Sequence, residues 1–261
     1  MHIKGNTFIV TGGASGLGEA TVRELIARRA NVAIFDLNEQ KAEELAKALG
    51  TNAFTPGQVD VTSEEAVRKA LQKTVDKFGR VAGCINCGGV ATAAKIARKG
   101  DSSRTMTMDL FDFTVRVNLI GTFNVCKQTA QLMANQEDAS TKEEEKGIII
   151  NTASVAYQDG QTGQVAYAAS KGGVASMCLP MARDLASARI RVMTIAPGLF
   201  ETNMTAGMNE HAKSKILKDA IFPARMGQPK EFALLACHII ENSMLNGEVI
   251  RLDGATRLGK L

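Results

Sequence analysis

The chain has 261 residues, of which 45% are apolar, and it carries a formal net charge of +4 at pH 7. This length suffices for one large hydrophobic core, and no apolar run of about 18 residues predicts a membrane-spanning helix. The small and scattered positive charge gives no indication of a nucleic-acid-binding surface.

The first predicted element is a buried strand at Thr7–Thr11, and the residues before it show no cleavable presequence. This favours a cytoplasmic protein and leaves import without cleavage open. A glycine-rich turn follows the strand and opens a helix that runs to about Ala30. Such a turn lets a pyrophosphate approach the backbone, and the helix N-terminus attracts it. The turn residues with this predicted role are Gly12, Ser15, Gly16, Leu17 and Gly18. Their G-x-x-x-G-x-G spacing fits the general dinucleotide fingerprint only loosely.

The second predicted strand runs from Asn31 to Asp36 and ends in a carboxylate. An acid at this position can accept hydrogen bonds from the adenosine ribose hydroxyls, and its charge repels a 2′-phosphate. Leu37 follows, and no arginine stands beside it, so the pattern favours NAD over NADP. The alternative interpretation of Asp36 is a helix N-cap or a solvated loop acid.

The alternation of helices and strands continues through the next fifty residues. The predicted elements are a helix at Glu39–Leu49, a strand leading to Asp60 and Val61, a helix with a capping box at Thr62 and Glu65, and a strand at Val81–Cys87. Five cysteines with scattered positions indicate reduced thiols. Cys84 and Cys87 have C-x-x-C spacing, but no second ligand pair lies nearby. We interpret them as small core residues, so no metal site is predicted.

Residues 91–109 are the least regular part of the sequence and contain a small basic cluster, Lys95, Arg98, Lys99 and Arg104. A solvated loop is the ordinary interpretation of such a cluster. The alternative is that the cluster contacts an anionic tail of a substrate.

The second half of the chain continues the same pattern. A long helix from Leu110 to about Ala134 contains Asn118, and a strand at Gly147–Ser154 ends in a serine. A helix then spans Val165–Ala186, and a strand spans Ile190–Ile195 before Pro197 and Gly198. Residues 199–222 are typical of a mobile lid, and they are followed by a helix at 229–241 and a last strand at Gly247–Leu252. The alternation predicts an α/β fold. We expect a single domain, 1–261, built on a doubly wound parallel sheet of about seven strands with helices on both faces.

Tyr167 and Lys171 stand four residues apart in the predicted helix at Val165–Ala186, so their side chains share one helix face. A neighbouring cation favours the phenolate and lowers the pKa of a tyrosine, which suits proton exchange with an alcohol or a carbonyl. A bare Y-x-x-x-K pattern is more often a packed tyrosine and a surface lysine, so this interpretation depends on the other motifs.

Together these motifs resemble those of the short-chain dehydrogenases/reductases along essentially the whole chain. Thr11–Gly18 matches the family's T-G-x-x-x-G-x-G cofactor loop, and Asp36 matches the acid of its NAD-preferring members. The resemblance implies a catalytic set of Asn118, Ser154, Tyr167 and Lys171. Besides the glycine turn and Asp36 with Leu37, it implies a cofactor site of Asp60, Val61, Asn86, Gly88, Tyr167, Lys171, Pro197, Gly198, Leu199 and Thr202.

One position departs from the family pattern. The family's N-N-A-G motif reads Asn86-Cys87-Gly88-Gly89 here, which weakens any role of position 87 in bracing the sheet through side-chain hydrogen bonds.

The resemblance also implies roles. Tyr167 exchanges the proton, Lys171 lowers the tyrosine pKa and binds the nicotinamide ribose, Ser154 holds the substrate oxygen, and Asn118 positions a water. The implied substrate contacts are Ser154, Gln161, Gln164 and Tyr167. Tyr157 follows Ser154 and either lines the pocket or, as we favour, packs in the core.

Segments around Asn118, Ser154, Pro197 and Leu245–Ala255 are most like family members that oxidise short-chain 3-hydroxyacyl-CoA esters, some of which accept steroids. Those members are homotetramers and mostly mitochondrial. The resemblance therefore implies NAD, an acyl-CoA substrate, a homotetramer and the mitochondrial matrix. Two alternatives stay open. One is a 3-oxoacyl reductase of fatty-acid synthesis, whose NADPH preference Asp36 opposes; the other is a non-catalytic NAD-binding scaffold, which has no need of all four catalytic residues.

Overall fold

The computed structural model describes residues 1–101, 103–136, 145–202, 205, 220–257 and 259, and elements are numbered within them. The strands are β1 (Thr7–Thr11), β2 (Asn31–Phe35), β3 (Ala53–Phe54), β4 (Gly83–Asn86), β5 (Gly147–Thr152), β6 (Ile190–Pro197) and β7 (Val249–Leu252). They form one sheet in the order β3-β2-β1-β4-β5-β6-β7, and all neighbouring pairs are parallel. The predicted doubly wound α/β fold is confirmed. The strand order reverses between β1 and β4, which opens a crevice at their carboxyl ends.

Helices cover both faces of the sheet. They are α1 (Gly16–Ala27), α2 (Glu39–Leu49), α3 (Glu64–Phe78), α4 (Met108–Val115), α5 (Thr122–Asn135), α6 (Ala156–Asp159), α7 (Val165–Asp184) and α8 (Pro229–Glu241). Neighbouring residues of β1 enter different cores, since side chains alternate across a strand. Val10 packs in the cluster that includes Val22 of α1 and Phe232 of α8. Ile9 packs in the opposite cluster, with Val67 of α3 and Val125 of α5.

Three local expectations need correction. The helix expected over 110–134 is interrupted by a π-helical segment, Arg116–Gly121, which carries Asn118. The N-cap of α3 is Ser63, whose hydroxyl accepts from the Ala66 N–H at 3.2 Å, whereas Thr62 turns its hydroxyl to Asp60. The third strand is only two residues long, so Asp60 and Val61 lie in the turn that follows it.

All five cysteines are free, and Cys84 is fully buried. Burial raises the pKa of Cys87 and of Cys126 to about 12, so both thiols stay protonated at neutral pH. Within the described ranges, no cluster of three or more metal-ligating side chains occurs, and no helix is long and apolar enough to span a membrane. Most of the predicted substrate segment at 199–222 lies outside the described residues, at 203–204 and 206–219.

Candidate active site

The glycine turn after β1 is packed too closely for side chains. A Cβ at Gly12 would lie 2.8 Å from the backbone nitrogen of Gly88, and one at Gly18 would overlap the carbonyl oxygen of Gly12. The backbone of the turn is therefore the surface that faces the crevice, and α1 begins in it at Gly16. The first N–H groups of a helix have no intrahelical partner and bind anions. Ser15, Leu17 and Gly18 lie in this same first turn. The arrangement fits the pyrophosphate of a dinucleotide.

Asp36 follows β2 and joins the glycine turn to the start of α2. One carboxylate oxygen accepts from the Ala14 N–H at 3.0 Å, and the other accepts from the Asn38 N–H at 2.9 Å. The N-cap of α2 is Asn38, so the N-cap interpretation of Asp36 is wrong. Leu37 is exposed beside it. The carboxylate thus lies at the sheet edge, where an adenosine ribose would meet it.

The turns at Asp60–Val61 and at Gly88 form many of their hydrogen bonds within the protein. One Asp60 oxygen accepts from both the N–H and the hydroxyl of Thr62 at 2.8 Å. The Val61 carbonyl accepts from the Asn124 side chain at 2.7 Å. The Gly88 N–H donates to the Thr11 hydroxyl at 3.2 Å.

Asn86 lies at the end of β4 and turns its side chain into the sheet. Its amide nitrogen donates to the side-chain oxygen of Asn151 at 2.9 Å and to the sulfur of Cys126 at 3.3 Å. The Asn86 side chain therefore links β4 to β5 and α5. The sheet has this brace without an asparagine at position 87, where the chain has a cysteine. Only the backbone of Asn86 is left to meet a cofactor.

The side chains of Tyr167 and Lys171 lie on the same face of α7, as their spacing predicts. Lys171 is only 6% exposed, and its Nζ donates to the Thr152 carbonyl at 2.8 Å, at the end of β5. Nζ lies 5.9 Å from the centre of the Tyr167 ring. Burial lowers the pKa of Lys171 to about 8. Ser154, which follows β5, lies close enough to the Tyr167 hydroxyl to act on its pKa.

The tyrosine pKa differs from our expectation. Burial raises the pKa of Tyr167 above its ordinary value, and the nearby Ser154 hydroxyl only partly opposes this shift. Burial disfavours a charged phenolate, and this is the physical cause of the upward shift. A raised pKa favours the neutral phenol, which is the form that donates a proton.

Asn118 is fully buried in the π-helical segment, a type of helical irregularity that is frequent at functional sites. Its amide nitrogen donates to the Val90 carbonyl at 2.9 Å and to the Ser170 hydroxyl at 3.1 Å, and its oxygen accepts from the Val90 N–H at 2.8 Å. A Cβ at Gly89 would lie 2.9 Å from that oxygen and 3.5 Å from Lys171 Nζ. The backbone of Gly89 thus lies close to both Asn118 and Lys171, and a side chain at position 89 would crowd them.

The turn after β6 closes the crevice on the side away from Asp36. The Pro197 carbonyl accepts from the Val155 N–H at 3.0 Å, and the Gly198 N–H donates to the Leu252 carbonyl at 2.9 Å. Leu199 is tied through its carbonyl to the Gly227 N–H at 2.9 Å. Thr202 reaches back over the glycine turn, since its Cβ lies 3.4 Å from where a Gly16 Cβ would be.

The predicted substrate contacts lie just before α7. The Gln161 N–H donates to the side-chain oxygen of Gln164 at 2.9 Å, and Gln164 is the N-cap of α7. The Ala94 N–H donates to the Gly163 carbonyl at 2.9 Å, which seats residues 91–94 against this turn. The basic cluster lies beyond it on the surface, where Lys95, Arg98, Lys99 and Arg104 are exposed.

Two polar residues that support the site have no role predicted from the sequence. Ser170 bonds Asn118 and the Tyr167 carbonyl, and Thr11 holds Gly88. Ser170 stands three residues after Tyr167, so its place on the same helix face was a usable signal. Tyr157 packs against the small core cluster of Ala153, Val174, Ala175 and Ala196, in agreement with the interpretation that we favour.

The doubly wound sheet, the glycine turn and the set of Ser154, Tyr167 and Lys171 together define a class of protein. Comparison with known proteins gives the same class. The chain matches the model of the short chain dehydrogenase family over residues 6–213. It belongs to that family and is an oxidoreductase.

Particular relatives narrow the comparison. The 3-hydroxyacyl-CoA dehydrogenase type-2 of Bos taurus is 48% identical over 257 residues, which cover 98% of this chain and 97% of the relative. The crystal structure of 3-hydroxyacyl-CoA dehydrogenase type-2 from Mycobacterium avium matches with a TM-score of 0.91 and 41% identity, over 98% of this chain and 97% of that one. The 3-ketoacyl-(acyl-carrier-protein) reductase from Brucella melitensis, in complex with NADH, matches with a TM-score of 0.84 and 25% identity, over 97% of this chain and 98% of that one.

Proposed function

We propose that the chain is an NAD-dependent dehydrogenase of secondary alcohols whose substrates are short-chain 3-hydroxyacyl-CoA esters, and we extend the proposal to hydroxysteroids as further substrates. The observation that carries this proposal is the placement of Tyr167 beside a buried Lys171, whose Nζ is held at the end of β5 by the Thr152 carbonyl, two residues before Ser154. The printed names of the Bos taurus and Mycobacterium avium relatives support the substrate class, and the NADH in the Brucella melitensis structure supports the cofactor.

The roles of the residues follow from their positions. Ser154 donates a hydrogen bond to the substrate oxygen and holds it beside the Tyr167 hydroxyl. In ketone reduction Tyr167 donates its proton to that oxygen, and in alcohol oxidation it takes the proton back. Lys171 holds the nicotinamide ribose and passes the proton on to a water that Asn118 positions. Bound NAD supplies the hydride acceptor.

The direct test is an absorbance assay at the NADH band with acetoacetyl-CoA, run once with NADH and once with NADPH. We expect turnover with NADH and a marked preference over NADPH. A preference for NADPH would support the alternative of a 3-oxoacyl reductase of fatty-acid synthesis, as in the Brucella melitensis relative. The absence of turnover with either cofactor, in a protein that still binds NADH, would support a non-catalytic scaffold.

Asp36 is proposed to set the cofactor preference by repelling a 2′-phosphate. Asp36→Ala should reduce the preference for NAD over NADP, chiefly by changing the KM values for NAD and NADP. The carboxylate also accepts from Ala14 in the glycine turn, so Asp36→Asn is the matched variant. It removes the charge and keeps an acceptor for that N–H. If wild type already turns over equally well with NADP, this role of Asp36 is wrong.

The basic cluster is proposed to attract the phosphates of coenzyme A. Its residues are exposed, so each contact is worth at most about 1 kcal/mol. Changing Lys95, Arg98, Lys99 and Arg104 together to glutamine should raise the KM for an acyl-CoA by about tenfold. The KM for a small uncharged alcohol should not change. Arg68→Gln with Lys69→Gln is the control, because both side chains are exposed on α3, away from the loop that carries the cluster. If the KM changes equally for both substrates, the cluster is an ordinary solvated loop and does not bind the phosphates of coenzyme A.

We propose a homotetramer, formed by the helices α4, α5 and α7 across one interface and by the C-terminal segment across another. Large apolar side chains exposed on these helices support the first interface, among them Phe113, Phe123 and Leu179. Static light scattering at micromolar concentration should give about four times the chain mass of 27.8 kDa. The mass of a single chain would contradict the proposal.

The proposed compartment is the mitochondrial matrix, with the cytoplasm as the alternative. The proposal rests on the resemblance to mitochondrial members of the family. Fractionation of cells that express the tagged full chain would decide between the two compartments.

A further inference from the structure

Arg251 lies on β7, and its guanidinium reaches two other parts of the chain. It bonds Asp159 at 2.6 Å and Gln158 at 2.9 Å, both in α6. It also bonds the Asp253 carboxylate at 2.7 Å. The side chains of Arg251 and Asp159 are each 15% exposed, and that of Asp253 is 7% exposed. A planar guanidinium suits this task because its fork binds several acceptors at fixed angles. We call Arg251, Gln158, Asp159 and Asp253 the Arg251 cluster.

The α6 side of the cluster leads directly to Ser154. The Ser154 hydroxyl oxygen accepts from the Ala156 N–H at 3.2 Å, and Ala156 is the first residue of α6. The backbone beside Ser154 is held to β6 by the Ala153 and Val155 N–H groups, and the orientation of its hydroxyl depends on the start of α6. This helix has only four residues, and so short a helix does not hold its position without tertiary contacts. Arg251 supplies such a contact at its last residue, Asp159.

The β7 side of the cluster leads to the turn at Pro197 and Gly198. Leu252 pairs with Pro197 in the sheet, and its carbonyl accepts from the Gly198 N–H. Asp253 packs on the same turn, since its Cβ lies 3.0 Å from where a Gly198 Cβ would be. The guanidinium that holds α6 therefore also fixes the residue beneath this turn.

Charge makes the arrangement dependent on the arginine. The same guanidinium nitrogen of Arg251 contacts one oxygen of Asp159 and one of Asp253. Without the cation the two carboxylates would repel each other at close range in a partly buried place. Arg257 also pairs with Asp253, but its side chain is largely exposed, and within the described part of the chain it forms no ion pair with Asp159. Loss of Arg251 should therefore push α6 away from β7.

We propose that Arg251 is a positioning residue that holds the last residue of α6 and thereby orients the Ser154 hydroxyl relative to the turn at Pro197 and Gly198. This rests on the proposed function, in which Ser154 holds the substrate oxygen and that turn lies under the nicotinamide. Hydride transfer needs both partners in register, and a displacement of about 1 Å can cost about 10²-fold in rate. In this proposal Arg251 acts through α6 and Asp253, and it also donates to the Thr256 carbonyl at 3.2 Å.

The test compares Arg251→Lys, which keeps the charge but loses the fork, with Asp159→Asn, which keeps the shape and loses the charge. Arg28→Lys is the matched control, because Arg28 joins α1 to α8 through Glu24 and Glu241. In Arg251→Lys, single-turnover hydride transfer should fall by about tenfold or more, with the NADH dissociation constant unchanged within about twofold. The Asp159→Asn effect should not add to it, since both act on one contact.

A second measurement needs no turnover. Hydrogen–deuterium exchange of the amides at 155–159 should be faster in Arg251→Lys and in Asp159→Asn than in wild type, and unchanged in Arg28→Lys. The proposal is overturned if hydride transfer in Arg251→Lys stays within about twofold of the control, or if exchange at 155–159 does not change. A parallel loss of NADH affinity would also overturn it, since the effect would then be general damage. If the wild-type protein shows no hydride transfer at all, the proposed function is refuted. Hydrogen–deuterium exchange at 155–159 would still test the contact between Arg251 and Asp159.

Discussion

Tyr167→Phe is expected to slow hydride transfer by about 10²–10⁴-fold, the usual contribution of general acid/base catalysis. The change removes one oxygen and keeps the ring, so packing around α7 should be nearly preserved. Cofactor binding should persist, because the glycine turn, Asp36 and Lys171 are unchanged. The measurement is single-turnover hydride transfer with saturating NAD, together with an NADH titration.

A matched control is available in Tyr157, the other tyrosine of the chain. Tyr157→Phe removes the same atom from a ring that packs in the small core cluster three residues after Ser154. We expect it to leave the hydride-transfer rate nearly unchanged. A rate for Tyr167→Phe within a few-fold of wild type would mean that another group moves the proton.

The raised tyrosine pKa adds a pH dependence to this expectation. Burial raises the pKa of Tyr167 and so favours its phenol form, and alcohol oxidation, which needs the phenolate, should therefore become faster as the pH rises. Reduction uses the phenol and should not gain from the same change. Tyr167→Phe should lose the rise in the oxidation rate.

The sheet and its helices could be predicted well from the sequence, because their signals are local. Short apolar runs such as Thr7–Thr11 and the amphipathic helix at Glu39–Leu49 have the boundaries that periodicity predicts. The exceptions depend on tertiary context. The π-helical segment at Arg116–Gly121 has no sequence signal in its periodicity, and it leaves Asn118 bonded to Val90, from a distant loop. The α6 helix is too short to show a period, and its last residue, Asp159, bonds Arg251 from the distant strand β7.

The candidate site divides in the same way. The relation of Tyr167 to Lys171 follows from helix geometry alone, and the glycine turn follows from its spacing. The tyrosine pKa could not be predicted, because burial decides it and burial is a property of the folded chain. The inward turn of the Asn86 side chain has no local signal either, since its partners Asn151 and Cys126 come from β5 and α5.

Gly18→Ala is expected to weaken NADH binding by at least about tenfold and to lower stability by about 1–3 kcal/mol, the usual cost of overpacking. The added methyl would overlap the Gly12 carbonyl and would lie 3.0 Å from the Gly13 Cα, so backbone must move. That backbone is the surface proposed to hold the pyrophosphate. The measurements are an NADH titration and the thermal midpoint with and without NADH.

Gly172→Ala is the control for Gly18→Ala, because it adds the same methyl group at a position with open space. Gly172 lies inside α7, and a methyl added there would have no neighbouring atom within 4 Å in the described part of the chain, apart from its own helix backbone. Gly172→Ala should therefore not weaken NADH binding and should favour the helix. Light scattering on both variants checks that the assembly is unchanged. If Gly18→Ala binds NADH as tightly as Gly172→Ala does, the glycine turn is not the pyrophosphate site, and the cofactor must be held elsewhere along the sheet edge.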